Sequence, residues 1–457
     1  MPRPALLERL GRWGRPEPVV LQLAWPVALQ EVSLVFSGVL VTMMAGHLSS
    51  TAVAAIGAIE SLGYLFHSLF VALGVGATVT VAHCQGAGRD ADVRDAGFNA
   101  LALGAAAALL LAALLWWLRE PIVRWCFPAV EPALRAEALA YFGWVIASDL
   151  PTGLVVVASG VLRGMGHTRQ AMQAHVAMNL LQVAAAFVLM HGVAGWPGLG
   201  VHGAGLALVA ARTLGMALAV AAWWSVAGRR PSAGARPRLQ RRFLAGMLRV
   251  GWPTAAEAGL FHVGKLLTQL MVAGMGTAAM AGNYVAASLV TLINIPGQAL
   301  SVAATTLVGQ RLGARDVAGA RQALGQVLRS ATLALSMLGL AVLPLSPWLA
   351  GLYGSGPAVT RTAAWLIAVN CLFMPTWAAS FVLPSGLRGA GDTRYTMIVA
   401  VGSMWLCRIA AGYGLGVLAG WGVLGVWLGM HIDWMVRAAL FLRRAGGDTW
   451  TRHRLLQ

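Results

Sequence analysis

Residues 162–169 read Leu-Arg-Gly-Met-Gly-His-Thr-Arg, and residues 387–394 read Leu-Arg-Gly-Ala-Gly-Asp-Thr-Arg. Six of the eight positions are identical, and the second copy begins close to half a chain length after the first in a protein of 457 residues. Other short matches recur at nearly the same offset: Trp25-Pro26 with Trp252-Pro253, Gln85-x-x-Gly88 with Gln310-x-x-Gly313, and Gly200-Val201 with Gly425-Val426. The chain is therefore predicted to contain two copies of one structural unit.

The composition indicates that this unit lies in a membrane. Hydrophobic residues make up 58% of the chain and charged residues only 11%, whereas the charged share of a soluble globular protein is about 25%. Apolar runs of about 20 residues suit helices that cross a hydrocarbon core about 30 Å thick. Alternating segments of about ten residues, which are typical of membrane barrels, are absent. The predicted fold class is an all-α integral membrane protein.

Six spans are predicted in each copy, which makes twelve transmembrane helices. The first apolar run is too long for a signal peptide and lacks a small-residue cleavage site, so it is predicted to remain as the first span. The spans lie near residues 20–45, 52–82, 96–118, 136–160, 170–190, 200–227, 250–273, 278–309, 328–350, 361–385, 395–418 and 421–442.

The distribution of arginine predicts the orientation, because basic residues collect in short cytoplasmic loops. With the N-terminus inside, 24 arginines fall in inner segments and 4 in outer loops. Both termini are therefore expected in the cytoplasm of a cell whose inner membrane holds the chain. The net charge of +17 is spread over alternate loops and not over one basic face, which disfavours a nucleic-acid partner and leaves the lipid bilayer as the expected one.

The predicted domains are an N-terminal six-helix bundle in residues 1–227, a basic cytoplasmic linker in residues 228–246 and a C-terminal six-helix bundle in residues 247–457. An even number of spans per copy inserts both copies in the same direction. They can then be related by a pseudo-twofold axis along the membrane normal, with a cavity between the bundles, which suits a monomeric transporter that works by alternating access.

Four stretches together resemble the multidrug and toxic compound extrusion (MATE) family. They are the paired LRGxGxTR motifs, Met43-Met44-Ala45-Gly46, Ala304-Thr305-Thr306-Leu307-Val308-Gly309-Gln310, and Gly198-x-Gly200-Val201-x-Gly203-Ala204. The resemblance covers nearly the whole chain. It implies a secondary antiporter that exports bulky, often cationic organic compounds in exchange for protons or sodium ions.

Charged groups inside spans are costly, so each is a candidate functional residue. Glu31 and Glu257 follow the repeated Trp-Pro by five and four residues, and Asp149 precedes Pro151 within a span. A carboxyl group removed from water favours its neutral form and can hold a proton. These three acids are the predicted ion-coupling residues, with Glu257 as the principal one. The alternative is a carboxylate satisfied by a neighbouring helix.

A second group of side chains is predicted to line the substrate cavity. Glu60 and Tyr64 are four residues apart and share one helical face, while His262 and Lys265 follow Glu257 on the seventh span. Lys265 is the chain's single lysine, and snorkelling to the interface is its competing explanation. For His262 the competing explanation is a hydrogen bond that serves helix packing.

Two arginines within spans have no clear role from the sequence. Asp433 and Arg437 are four residues apart and are predicted to pair with each other, which leaves Arg212 and Arg408 without partners. A central cavity lined by arginines would favour the alternative function, a flippase for a lipid-linked precursor or polysaccharide.

The chain departs from the family at two carboxylate positions. Many members carry an aspartate three residues before the Met-Ala-Gly of the first span and a glutamate eight residues after the proline of the seventh; here Val41 and Phe261 occupy those positions. This favours proton coupling, with sodium as the alternative. The HExxH, GxSxG and Walker motifs are absent, so an enzyme, a cofactor and a metal site are not expected, and an ion gradient is expected to drive small organic substrates out.

Overall fold

A computed structural model describes residues 18–126, 131–192, 196–228, 238–354 and 356–453. These residues are almost entirely helical, and no β-strand occurs among them. In chain order the helices are α1 (Pro18–Gly46), α2 (Ser50–Gly86), α3 (Asp90–Cys126), α4 (Pro132–Ala147), α5 (Asp149–Gly164), α6 (Thr168–His191), α7 (Val201–Gly228), α8 (Arg241–Ala273), α9 (Thr277–Ile293), α10 (Ile295–Gly313), α11 (Val317–Gly351), α12 (Pro357–Leu372), α13 (Met374–Gly389), α14 (Thr393–Leu418) and α15 (Gly422–Gly446). The segments Met404–Ile409 and Gly414–Leu418 of α14 are π-helical.

The helices account for the twelve predicted passes in the predicted order. Eight single helices and three bent pairs are long and apolar enough to cross a membrane. The twelfth pass, α8, has 33 residues, and its charged side chains, Glu257 and Lys265 among them, lower its hydropathy. The all-α membrane fold predicted from the sequence is therefore confirmed.

Three of the predicted spans are bent, each next to one of the prolines that the sequence places inside spans. The pairs α4–α5, α9–α10 and α12–α13 bend by 44°, 46° and 61°. A proline follows each break within three residues, at Pro151, Pro296 and Pro375. A proline in a first helical turn loses no hydrogen bond, since the N–H groups there have no partner within the helix. The breaks at Ser148 and Phe373 are separated by the same offset as the two Leu-Arg-Gly motifs, so this bend belongs to the repeated unit.

The glycine of each Leu-Arg-Gly allows two helices to approach closely. A Cβ atom on Gly164 would lie 2.6 Å from the carbonyl oxygen of Thr78, and one on Gly389 would lie 2.5 Å from that of Thr305. The side chains of the same two threonines also form hydrogen bonds between the paired helices. The Oγ1 of Thr78 donates to the Gly160 carbonyl at 2.8 Å, and the Oγ1 of Thr305 donates to the Ser385 carbonyl at 2.9 Å. The motif thus fastens α5 to α2 in one copy and α13 to α10 in the other.

The second glycine of each motif forms the turn to the next helix. Gly166 and Gly391 both have φ of +87°, a left-handed conformation that costs a residue with a Cβ atom about 1–2 kcal/mol. The following helices, α6 and α14, begin two residues later. The repeated sequence therefore specifies a helix end, a close contact and a turn.

The chain divides into two compact units. Among the described residues, the C-terminal unit consists of residues 18–28 and 256–453, and the N-terminal unit of those between 29 and 255. The boundaries lie inside α1 and α8, whereas the predicted domains end at 227 and begin at 247. Apolar side chains explain the difference. Val20 and Val27 of α1 join the core of the C-terminal unit, and Phe243 and Met247 of α8 join a core of the N-terminal unit.

Part of the predicted linker, residues 228–246, is helical, because residues 241–246 belong to α8. Residues 229–237 lie outside the described residues, as do Arg3, Arg9, Arg12 and Arg15 of the predicted cytoplasmic N-terminus. From residue 238 the chain is bound to α3. The Asn99 side chain donates to the Arg238 carbonyl at 2.7 Å, and Arg242 pairs with Asp92 at 2.7 Å. These contacts let α8 begin at Arg241, nine residues before the predicted start of the seventh span at 250.

Alanine at Gly164 or Gly389 is expected to destabilise the protein. Its methyl group would collide with a backbone carbonyl that cannot rotate away, and such overpacking costs about 1–3 kcal/mol. Alanine at Gly402, a helical glycine with no described atom within 4 Å of its Cβ position, is the matched control and should be neutral or stabilising. Thermal unfolding in one detergent compares the three variants. Equal melting temperatures for all three would contradict the close-contact role of the motif.

Candidate functional site

Glu257 forms an ion pair with the arginine of the second Leu-Arg-Gly. The Nη2 of Arg388, in the last turn of α13, lies 3.0 Å from Oε1 of Glu257 on α8. Both side chains are largely buried, and Oε2 of Glu257 has no hydrogen-bond partner among the described residues. Arg437 of α15 also interacts electrostatically with Glu257. The predicted coupling residue is thus a carboxylate that binds one guanidinium and is under the influence of the charge of a second.

No hydrogen bond or ion pair joins His262 or Lys265 to Glu257 among the described residues. The Nδ1 of His262 lies 2.7 Å from the carbonyl of Ala258 on its own helix. Lys265 is close enough to the like-charged Arg408 for the two charges to act on each other. The lysine therefore lies near a second charged cluster of the same unit.

That cluster centres on Asp433, which is fully buried and binds Arg408. Two guanidinium nitrogens of Arg408 approach Oδ2 of Asp433 at 3.0 and 3.1 Å. The direct ion pair of Asp433 is therefore with Arg408, while the predicted partner Arg437 acts on Asp433 only through its charge. Arg437 donates to the Ser380 carbonyl at 3.4 Å and lies 4.9 Å from the ring centre of Phe381. Asp433 is on the same helix as Arg437, but the π-helical segment of α14 supplies the closer guanidinium.

In the N-terminal unit the arginine of the first Leu-Arg-Gly binds the residue before Glu31 in the chain. The Nη2 of Arg163 donates to Oε1 of Gln30 at 2.9 Å, and its charge acts on Glu31. His175 of α6 also interacts with Arg163, and its Nε2 lies 3.0 Å from Oγ of Ser159. Glu31 is thus part of a polar group that includes α1, α5 and α6.

Asp149 occupies the break between α4 and α5. It is 6% exposed, and its Oδ2 has no hydrogen-bond partner in the described part of the chain. It is the first residue of α5, where the helix dipole favours a negative charge. Within the described ranges it forms no ion pair, so it differs from Glu257 in having no guanidinium bound to its carboxylate.

Glu60 and Tyr64 of α2 form a third group with Tyr141 and Arg212. The hydroxyl of Tyr141 donates to Oε1 of Glu60 at 2.8 Å. The charge of Arg212, for which the sequence indicated no partner, interacts with Glu60 and both tyrosines. Tyr64 is 65% exposed. The helical face that Glu60 and Tyr64 share therefore meets an arginine and a second tyrosine from two other helices.

The sequence showed no role in this chemistry for the motif arginines. Both are among the arginines counted in inner segments, but Arg388 binds Glu257 and Arg163 binds Gln30, the residue before Glu31. The signal that could have revealed them is the repeat itself. The arginines hold the same place in the two motifs, and Glu31 and Glu257 follow the two copies of Trp-Pro at almost the same distance.

Comparisons with known proteins agree with this architecture. The probable multidrug resistance protein NorM of Thermotoga maritima is 26% identical over 96% of this chain and 94% of its own length. The multidrug resistance protein PmpM of Pseudomonas aeruginosa is 28% identical over 93% of this chain and 89% of its own length. Among solved structures, an outward-facing multidrug resistance MATE family transporter superposes with a TM-score of 0.85, at 19% identity over 94% of this chain and 95% of that one.

The family model covers both copies of the repeat. It matches residues 26–188 and residues 253–413, two segments that each begin at the proline of a Trp-Pro and include one LRGxGxTR motif. Its members are membrane transporters and not enzymes. The chain belongs to the MatE family.

Proposed function

We propose that the protein exports bulky organic cations by antiport with protons. The relatives named multidrug resistance proteins support an exporter of this substrate class. One observation carries the coupling: the Glu257 carboxylate holds the Arg388 guanidinium at 3.0 Å between α8 and α13. A proton that binds Glu257 removes the charge that holds these two helices together. Proton binding is thereby linked to a change in helix packing.

Glu31 and Asp149 complete the proposed ion-coupling set. A buried carboxylate can exchange a proton, whereas a guanidinium remains charged in proteins. Glu60, Tyr64, His262 and Lys265 are the proposed substrate contacts. Glu60 and the exposed Tyr64 offer a carboxylate and a ring face, the two groups that bind an organic cation through charge and cation–π attraction.

Proton coupling is proposed over sodium coupling. Val41 and Phe261 occupy the positions at which the resemblance implies carboxylates, and oxygen ligands are what hard cations require. In the C-terminal unit the ring of Phe261 lies 5.3 Å from the Arg408 guanidinium. This guanidinium already binds the Asp433 carboxylate, so the acid of this neighbourhood is not free to bind sodium.

The alternative is a flippase for a lipid-linked precursor. The Nε and Nη1 atoms of Arg437 are buried without hydrogen-bond partners among the residues that the structure describes, and unpaired guanidinium nitrogens suit a phosphate. A fluorescent lipid-linked pyrophosphate distinguishes the two functions. Its movement across vesicles, slowed by Arg437→Gln while ethidium transport is unchanged, would favour the flippase.

We also propose an inner-membrane location with both termini in the cytoplasm, as the arginine distribution indicates. Cysteines placed at the exposed residues His47 and Thr277 in a cysteine-free background should react with an impermeant thiol reagent from outside the cell. Cysteines at Ala87 and Ala314, in the turns after α2 and α10, should not react. Reversed labelling would contradict the orientation.

Ethidium transport in inverted vesicles should follow the pH gradient and not sodium. Removing sodium at a constant pH gradient is expected to leave the initial rate unchanged, and a protonophore is expected to abolish it. The two treatments are applied to the same vesicle preparation, with empty vesicles as the control. Transport that is lost without sodium and survives the protonophore would show that proton coupling is wrong.

Glu257→Gln is expected to lower gradient-driven transport by about tenfold, within the usual range of coupling between two sites. Glutamine keeps the shape but cannot exchange a proton, so ethidium binding should persist while the response to the pH gradient is lost. Glu257→Asp keeps the acid and should retain partial activity. Glu120→Gln, which removes an exposed acid paired with Arg124 at 3.2 Å, is the matched control. A Glu257→Gln variant that transports like the parent would transfer the role to Asp149 or Glu31.

A further inference from the structure

A short segment after α15 packs against the C-terminal unit. Residues 449–452 form one turn of 3₁₀-helix. Trp450, within this turn, is fully buried, and its Nε1 donates to the Ala445 carbonyl at 3.0 Å. A tryptophan that is buried with its N–H bonded contributes a large apolar contact without an unpaired donor. Residues 447–453, which we call the latch segment, are therefore fixed to the fold by this side chain.

Arg321 of α11 holds the latch segment from a second helix. Its Nη2 donates to the Gly447 carbonyl at 2.8 Å, and the same nitrogen pairs with Asp448. Its guanidinium lies 5.6 Å from the centre of the Trp450 ring, which is within the range of cation–π attraction. Arginine is not deprotonated in proteins. This part of the segment is therefore expected to remain bound at every physiological pH.

The other end of the latch segment reaches the turn of the second Leu-Arg-Gly motif. The Nε2 of His453 lies 3.2 Å from Oδ1 of Asp392, the residue between Gly391 and the start of α14. Arg444 of α15 binds the same carboxylate, with Nε at 2.7 Å and Nη2 at 3.2 Å. Asp392 thus joins the α13–α14 turn to α15 through one permanent cation and to the latch segment through a histidine.

The acid of this contact is specific to the C-terminal copy. The first motif has His167 where the second has Asp392. The turn itself does not need a carboxylate, because Gly166 and Gly391 adopt the same φ of +87° in the two copies. Asp392 therefore serves its contacts with α15 and the latch segment, and not the shape of the turn.

Histidine is the group in this contact whose charge changes between pH 5 and 8. Burial raises the pKa of the Asp392 carboxyl, but hydrogen bonds from His453 and Arg444 outweigh burial and hold that pKa below its ordinary value. The carboxylate is therefore ionised throughout this range. The other described charged or titratable groups around the contact are Tyr395 of α14, Arg321 of α11 and Asp448 of the latch segment.

The strength of the contact depends on the charge of His453. A protonated histidine binds a carboxylate through a charge-assisted hydrogen bond, which is about twice as strong as a neutral one. The contact is therefore strongest at low pH and weakens as the pH rises and the histidine loses its proton. Because Arg444 stays bound to Asp392, the histidine strengthens a permanent link and does not create it.

The contact acts on the helix that carries Arg388. This arginine lies in the last turn of α13, four residues before Asp392 in the chain, and binds Glu257 at 3.0 Å. In the proposed antiport, protonation of Glu257 frees α13 from α8. A turn that is held to α15 and to the latch segment through Asp392 opposes this movement of α13.

We propose that the latch segment is a pH-sensitive brake at the cytoplasmic end of the C-terminal unit, in which protonated His453 binds Asp392 and holds the end of α13 to α15. An antiporter that admits protons acidifies the cytoplasm, and the brake then slows further entry. At alkaline cytoplasmic pH the histidine is neutral, and the end of α13 moves more easily. The effect on transport rests on the proton antiport proposed above, whereas the closing of the latch does not.

Hydrogen exchange of the full-length protein in nanodiscs tests the closing of the latch. The parent and His453→Gln are compared at the same pH, so the intrinsic rate of exchange cancels. Near pH 6 the amides of residues 390–393 and 447–453 should exchange about fivefold more slowly in the parent, which corresponds to the difference between a charged and a neutral hydrogen bond. Near pH 8 the two proteins should exchange alike. His47→Gln, which removes an exposed histidine in the turn after α1, is the matched control and should match the parent at both pH values.

Transport in inverted vesicles tests the brake, because the medium bathes the cytoplasmic side. Ethidium carries a permanent charge, and the lumen is kept at a constant pH difference below the medium. In medium near pH 6, His453→Gln should transport about fivefold faster than the parent, and near pH 8 the two should transport alike. His453→Arg carries a permanent charge and should remain about fivefold slower than His453→Gln at both pH values. Glu257 and the other acids are the same in every variant, so their own response to pH cancels.

The outcomes separate the latch from the proposed antiport. Exchange that is equal in the parent and in His453→Gln near pH 6 would overturn the latch. Slower exchange in the parent, together with transport that is the same in both proteins, would overturn its role as a brake. Vesicles that transport no ethidium at either pH would overturn the proposed function, and the exchange measurement would still decide whether the latch closes.

Discussion

The interior of this protein depends on the cost of placing charge where water is absent. A guanidinium cannot escape that cost by losing its proton, so each buried arginine needs an acceptor nearby. Arg388 and Arg408 bind carboxylates, Arg163 binds an amide and Arg437 binds a backbone carbonyl. Each of these acceptors lies on a different helix from its arginine. The contacts that stabilise the buried charges therefore also hold the helices together. A proton that neutralises one of the carboxylates therefore acts on the packing directly.

The departure from the MATE pattern at Phe261 is accompanied by a different charge arrangement. The phenyl ring faces Arg408, which binds the fully buried Asp433 through two nitrogens. The acid of this region is thus supplied by α15 and not by α8. Arg408 reaches Oδ2 of Asp433 with two nitrogens, whereas Arg437, four residues along the same helix, acts on Asp433 only through its charge. The direct ion pair therefore differs from the one predicted from spacing.

The sequence alone predicted the repeat, the twelve helical passes, their order and the family. The passes follow from the length of the apolar runs, the repeat from the duplicated motif, and the family from the resemblance of four short stretches. All of these can be read along the chain without knowing which helices face each other. The ion partners could not be predicted, because they depend on which helices face each other after folding. Arg388 and Glu257 are 131 residues apart in the chain, and no spacing rule joins them. Prolines inside spans permit kinks, but the sequence did not show which of them accompany a break; Pro151 and Pro375 follow the breaks of the two copies.

The two copies resemble each other more in backbone structure than in their charged side chains. A feature of the fold can therefore be told apart from a candidate functional residue. Both fourth passes break at the same place in the repeat, at Ser148 and Phe373, yet the next residue is the buried Asp149 in one copy and Met374 in the other. The bend therefore does not need the acid. Because Asp149 forms no ion pair within the described chain, its protonation would release no guanidinium and separate no helices. In the proposed mechanism Asp149 can pass a proton within an unchanged structure, whereas Glu257 cannot accept one without giving up the bond that joins α8 to α13.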